Sequence, residues 1–174
     1  DTIANTYEDI PEISDGVEKI VRYIMMSTDY QGGVVMLRLG ATKYSATPAN
    51  YDSVMQSILE AIYPTRIIDR LMSVVWPGDS GEKKVNSLSA KEYNFTGSGT
   101  PSGGEPFDAF KRVPVESARI AGIDAQGAGV MYFTRSHSGS TYYLVTSVGG
   151  ENPSTSVTGY IRPAIILPKD TTVK

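Results

Sequence analysis

The sequence predicts an α+β fold, and three observations carry the prediction. The one long amphipathic helical run, DSVMQSILEAIY (52–63), lies in the first half of the chain. The final third instead alternates extended runs, VMYFTRS, STYYLVTSV and GYIRPAIIL, with Ser/Thr/Gly/Asn connections, the pattern of strands separated by turns. No internal repeat is present, and helices segregated from strands fit α+β. At 174 residues the chain has the length of one domain. A domain of this size buries roughly 70% of its unfolded surface and needs no disulfide or metal to hold a core. We place it at residues 17–170, behind a polar N-terminal lead-in of residues 1–16. The chain begins at Asp1 with no signal-peptide pattern, which reads as a processed chain or an excised domain.

Within the lead-in, Pro11 and Gly16 act as punctuation. Val17 to Ser27 (VEKIVRYIMMS) is β-branched and aromatic, a strand signature. The turn TDYQGG leads into a second strand, Val34 to Leu39, so the pair reads as a hairpin. Arg38, inside that apolar strand, faces out or pairs with an acid. In the 52–63 helix Val54, Met55, Ile58, Leu59 and Ile62 form one apolar stripe, with Asp52 as N-cap and Pro64 as the stop. Thr65 caps a shorter helix carrying Ile67, Ile68, Leu71 and Met72. Both stripes read as core. SVVW (73–76) is extended, and PGDSGEKK is a loop. NFTGSGTPSGG (94–104) holds too few large apolar residues to pack and reads as a surface loop. A short helix fits around Pro106–Lys111.

Composition then narrows the chemistry. With no cysteine, thiol nucleophiles, Cys-based zinc sites and disulfides are all excluded. One histidine excludes any two-histidine site, and no cofactor motif or metal-ligand spacing occurs. His137 lies in the polar turn RSHSGS without a G-x-S-x-G elbow, so it reads as a surface or ligand-contact residue. GSGTPSGG lacks the phosphate-loop order and serves as a spacer. Glu92, Glu105 and Asp108 are candidate acids for glycoside hydrolysis, whose carboxylates stand about 5–10 Å apart. Their plain reading is loop charge and capping. Asp124 with Gln126, or Glu151 with Asn152, offer oxygens to calcium, but no D-x-[DN]-x-[DN]-G loop holds them. A net charge of −3 without a basic cluster argues against nucleic acid, and no apolar run reaches the ~18 residues of a membrane span.

The charge is unevenly spread. Between residues 130 and 168 only Arg135, Glu151 and Arg162 are charged, while Tyr, Ser, Thr, Gly and Asn accumulate. Tyr offers amphipathic area at low entropy cost and the small polar residues offer adjustable hydrogen bonds, the composition of an adaptable binding surface.

These residues resemble a domain-of-unknown-function family with a C-type lectin-like fold. Its W-W-L-R-S-P block is matched by Tyr132-Phe133-Thr134-Arg135-Ser136, its Y-x-V strand by Tyr143-Leu144-Val145, and its G-V-R-P-A block by Gly159-Tyr160-Ile161-Arg162-Pro163-Ala164. Upstream, VVMLRLG, NYDSVMQSILEAIY, VNSLSAKEYN and GGEPFDAF resemble further family blocks in order, so the likeness spans about residues 20–168. His137 stands where the family has Pro, and Tyr132/Phe133 replace a Trp pair. The calcium motifs E-P-N and W-N-D of the sugar-binding branch are absent, as are the cysteines of the oxidase branch.

The resemblance implies two helices packed on a twisted antiparallel sheet, with long loops above. It implies an extracellular, non-enzymatic ligand- or receptor-binding domain of a phage (or prophage) tail or bacterial surface protein. The partner would be a cell-surface glycan or protein, with no cofactor, no metal, no membrane insertion, and oligomerisation through the parent protein. The contact surface is assigned to Thr134, Ser136, His137, Ser138, Ser140, Tyr142, Glu151, Asn152, Ser154, Thr155 and Tyr160. Arg135 and Arg162, each in an apolar strand, take structural roles because an unpaired guanidinium there is costly. A purely structural virion or appendage domain and a glycan-cleaving enzyme are the rival readings.

Overall fold

The computed structural model describes residues 6–97, 99–101, 103–111, 114–123 and 128–169. Asp124 and Gln126, the first pair of oxygen donors, lie outside them. In chain order come β1 (Tyr7–Ser14), β2 (Val17–Tyr30), β3 (Gly33–Arg38), β4 (Ser45–Ala46), α1 (Tyr51–Ile62) and α2 (Thr65–Ile68). Then follow β5 (Val74–Val75), β6 (Glu82–Lys83), β7 (Val85–Asn86), a 3-10 turn (Asp108–Phe110) and α3 (Val115–Arg119). The last strands are β8 (Tyr132–Ser138), β9 (Thr141–Val145), β10 (Glu151–Ser154), β11 (Gly159–Tyr160) and β12 (Ala164–Pro168). The fold is α+β. Among the described residues it has two five-stranded, mostly antiparallel sheets, ordered β1-β2-β3-β12-β7 and β10-β9-β8-β11-β4, and a separate β5-β6 pair, where the resemblance implied one sheet.

Two tight hairpins build the first sheet. Asp15 and Gly16 join β1 to β2 with φ of 52° and 74°, and Gln31 and Gly32 join β2 to β3 with φ of 52° and 84°. Positive φ at both turn residues matches the right-handed twist of the strands they connect. The boundary drawn after residue 16 therefore falls in a turn. Residues 7–14 are a full strand whose eight residues all pair with β2, and Ile10 is completely buried.

The sheet has core on both faces. Along β12, Ile165 and Leu167 join one cluster with α1, while Ala164 and Ile166 join the other around Trp76. In β3, Met36 and Leu37 divide in the same way. A strand covered on both sides gains nothing from alternation, which is why VVML and AIIL read as unbroken apolar runs.

The helix α1 buries Tyr51, Met55, Ile58 and Ile62 in a cluster that both sheets share, with Tyr51 against Phe133 and Tyr142 of the second sheet. Its N-cap is Asn50 rather than Asp52. The Asn50 side chain accepts from the Thr47 N–H at 2.7 Å and gives the helix no cap bond, while Asp52 contributes its charge to the first turn. Tyr63 closes the helix before Pro64. Pro64 is also the N-cap of α2, so Thr65 is its first helical residue, not its cap.

The run GYIRPAIIL is two strands in different sheets. β11 pairs with β4 and β8, the chain crosses over at Ile161–Pro163, and β12 enters between β3 and β7. Arg162 sits at that crossing, 2% exposed, with Nε on the Arg38 carbonyl at 2.9 Å, one terminal nitrogen on Leu39 O and the other on Tyr132 Oη. One guanidinium thus ties the two sheets together.

Candidate ligand-binding face

The segment assigned to ligand contact folds around a β-bulge. Phe133 pairs with Leu144 and His137 with Tyr142, so three β8 residues oppose the single Tyr143 of β9. The bulge turns residues 134–136 away from the ladder and into the protein. Arg135 N–H bonds Leu88 O, Thr134 Oγ1 donates to Tyr143 O at 2.6 Å, and Ser136 Oγ accepts the Ala90 N–H at 2.8 Å.

Three assigned contact residues are corrected by this geometry. Thr134 is fully buried and Ser136 nearly so, because each serves the bulge's backbone. Tyr142 faces the core: its ring packs against Tyr51 and Phe133, at centroid distances of 4.9 and 5.8 Å. By strand parity Tyr143 takes the other face of β9, half-buried against the second core cluster, and donates to Gly99 O at 3.0 Å. The sequence already carried that signal, since adjacent tyrosines on one strand must point to opposite faces.

Other assigned residues do share a surface. His137, Ser138 and Ser140 are exposed around a two-residue turn whose first residue, Gly139, has φ of 60°. His137 stacks on Tyr142, centroids 4.8 Å apart and planes at 26°, and its Nδ1 lies 3.2 Å from Gly139 O. The tip therefore rests on a core aromatic. Ser154 pairs opposite Tyr142 on β10, and Thr155 follows it, exposed. Ser154 Oγ accepts the N–H groups of Ser156 and Val157, at 3.1 Å each, and so shapes the loop.

Asn152 and Glu151 lie further along the same edge strand, half-buried. Asn152 reaches Met131 Sδ at 3.5 Å; Glu151 accepts from Thr100 Oγ1 at 3.5 Å. Burial pushes the Glu151 carboxyl above its usual range, against the pull of Thr100 and Arg119. Tyr160 is half-buried on β11, beside Tyr132 and Ser45, away from the β8–β9 turn. The turn tip and β10 therefore form one face, and Tyr160 stands apart from it.

Beneath this face lies a buried charge network. Arg135 donates to Glu92 Oε1 at 2.6 Å and to the carbonyls of Pro77, Ser87 and Gly103. Glu92 also accepts from Tyr30 Oη and from Ser89 N–H. Burial, and then the Glu92 charge, hold the Tyr30 phenol well above its ordinary range. Burial alone would lower the Arg135 pKa, but the Glu92 charge and the contacts with Glu92 and Tyr30 together raise it. A further buried arginine, Arg119, carries no signal in the sequence. It donates to Tyr93 O, Gly149 O and Asn94 O and lies 3.8 Å above the Phe95 ring. Arg38 is buried and pairs with Glu12 at 2.9 Å, so of the two alternatives, facing out or pairing with an acid, the second holds.

The acids considered for hydrolysis have other duties or stand in solvent. Glu92 is sealed in the network, while Glu105 and Asp108 are highly exposed beside Lys91 and Lys111. Among the described residues no group of three or more His, Asp or Glu side chains is placed to hold a metal ion, and no helix is long and apolar enough to cross a membrane. The chain matches no protein-family model, no curated protein and no solved structure.

Proposed function

We propose that this chain is a ligand-recognition domain of C-type lectin-like type, carried by a phage (or prophage) tail or a bacterial surface protein, that binds a cell-surface glycan or protein without catalysis. The observation that carries the reading is the stacking of His137 on the core residue Tyr142. It fixes a tip of small polar groups, His137, Ser138 and Ser140, on a rigid support, so little freedom is lost on binding. The sealed Arg135–Glu92 pair stiffens the bulge just behind that tip. The edge strand beside it contains Pro153, which has no N–H to offer another strand. That edge favours recognition by side chains over strand-to-strand assembly. Single-site affinity would be weak and raised by multivalent display.

The test is direct. Fluorescently labelled domain, displayed as monomer and as tetramer, is incubated with cell walls from a panel of Gram-positive bacteria. The reading expects at least one wall type to retain the tetramer, and the His137→Ala/Ser138→Ala/Ser140→Ala variant to lose that retention while keeping its melting temperature. Retention unchanged in the variant contradicts the assigned face.

A further inference from the structure

A concave site lies on the other sheet, where the β1–β2 hairpin outruns β3. β3 ends at Arg38, and the last bond along this edge runs from Leu39 N–H to Arg22 O. In an antiparallel strand the groups facing one side recur every second residue, so the Ile20 N–H and C=O face the same way as those of Arg22. No strand pairs with that side of Ile20 among the described residues. Between this open edge and residues 39–44 is a cleft of about 450 Å³, within the range of small-molecule sites.

Its chemistry is distinctive. The floor is the buried Arg38–Glu12 pair, further fixed by Arg38 donating to the carbonyls of Gly40 and Ala41. The rim carries the cations Lys19, Arg22 and Lys43, and Lys19 and Lys43 form no ion pair among the described residues. The one rim acid left unpaired among the described residues is Asp15, so positive charge is in excess inside a chain of net charge −3. Tyr44, 41% exposed, and Ile20, 63% exposed, supply apolar wall.

We propose that this cleft binds an acidic saccharide, a sugar ring bearing a carboxylate. The carboxylate meets Lys19 and Lys43, the ring lies on Tyr44, and ring hydroxyls take up the unpaired Ile20 backbone groups. An exposed aromatic beside free hydrogen-bonding backbone suits a ring with hydroxyls on its edges and C–H groups on its faces. The surplus of cations selects the charged sugar over the neutral one. The site is separate from the β8–β9 tip and does not depend on it.

The experiment is an amide-resolved NMR titration of the whole chain with sodium glucuronate, glucose and inorganic phosphate, each to on the order of 10 mM, for a weak single site. Glucuronate is expected to shift the amides of residues 19–22 and 42–44, with glucose at least about tenfold weaker. Lys19→Gln/Lys43→Gln and Tyr44→Ala each weaken the glucuronate response about fivefold or more with unchanged melting temperature, because all three side chains are exposed. His137→Ala leaves the response intact, which separates this site from the tip. Equal response to glucose overturns the role of charge, and equal response to phosphate reduces the site to an anion patch and overturns the sugar. Absence of any shift overturns the site itself.

Discussion

Arg135 and Glu92 meet at 2.6 Å with their side chains 3% and 0% exposed, one from the β8 bulge and the other from the segment beneath it. Neither could be buried alone, and the three carbonyls around Arg135 complete the guanidinium's hydrogen bonds. The pair is therefore what holds the bulge, and with it the base of the candidate face. Glu92→Gln is expected to cost about 3–5 kcal/mol in urea unfolding, because it strands a buried guanidinium. Arg135→Lys is also damaging, since an ammonium cannot serve Glu92, Ser87 and Pro77 in one fork geometry.

Tyr142 and His137 separate support from contact. Tyr142→Ala empties a core position and is expected to cost about 3–5 kcal/mol. His137→Ala removes an exposed ring and costs under about 1 kcal/mol. Thermal and urea melts on the two variants check the contrast. Lost attachment in Tyr142→Ala would report collapse of the support, whereas loss in His137→Ala reports contact.

Glu151 gives the face a pH signature. Its folded pKa is raised by burial, so the stability it contributes is complete below the unfolded carboxylate value and lost as pH rises through the folded one. At neutral pH the charged form is a burden. Glu151→Gln should accordingly melt higher than the parent at pH 7, and the two curves should converge toward pH 4. A constant offset across that range contradicts the assignment.

Gly149 is required by geometry twice over. Its φ is 85°, and an added Cβ would collide with the Glu116 carbonyl. Its own carbonyl accepts from Arg119 at 3.1 Å. Gly149→Ala should cost well over the ~1–2 kcal/mol of φ strain alone. Gly139→Ala is the matched control: φ is 60° with open space around the Cβ, so only the strain of about 1–2 kcal/mol remains. Denaturant melts on both variants measure the difference.

Much of the fold was legible in residue pattern, and the gaps have physical causes. The α1 stripe is legible because it keeps the helical period, and the extended runs at 17–27, 34–39 and 131–145 because they are rich in β-branched and aromatic residues. The β1 strand was missed because YEDIPEIS is charged and contains Pro11, although Asp15-Gly16 behind it is a strong hairpin signal. GYIRPAIIL looked like one strand because its apolar, β-branched composition continues through the change of sheet, which only Pro163 marks locally. The carbonyl partners of Arg162 reveal it. Thr134 and Ser136 looked like contact residues because composition cannot see a bulge, which inverts the facing of three residues at once. The cationic cleft was invisible for a related reason: Lys19 and Lys43 come together only through the path of the chain after β3.

The proposed binding of a cell-surface ligand by the His137–Ser140 tip is decided by attachment of the tetravalent domain to a retaining cell wall, comparing the parent with Ser138→Glu/Ser140→Glu at matched melting temperature. Attachment is expected to fall at least about tenfold, the effect of two like-sized intrusions at a contact worth roughly 1.4 kcal/mol or more. Attachment equal to the parent's would contradict it.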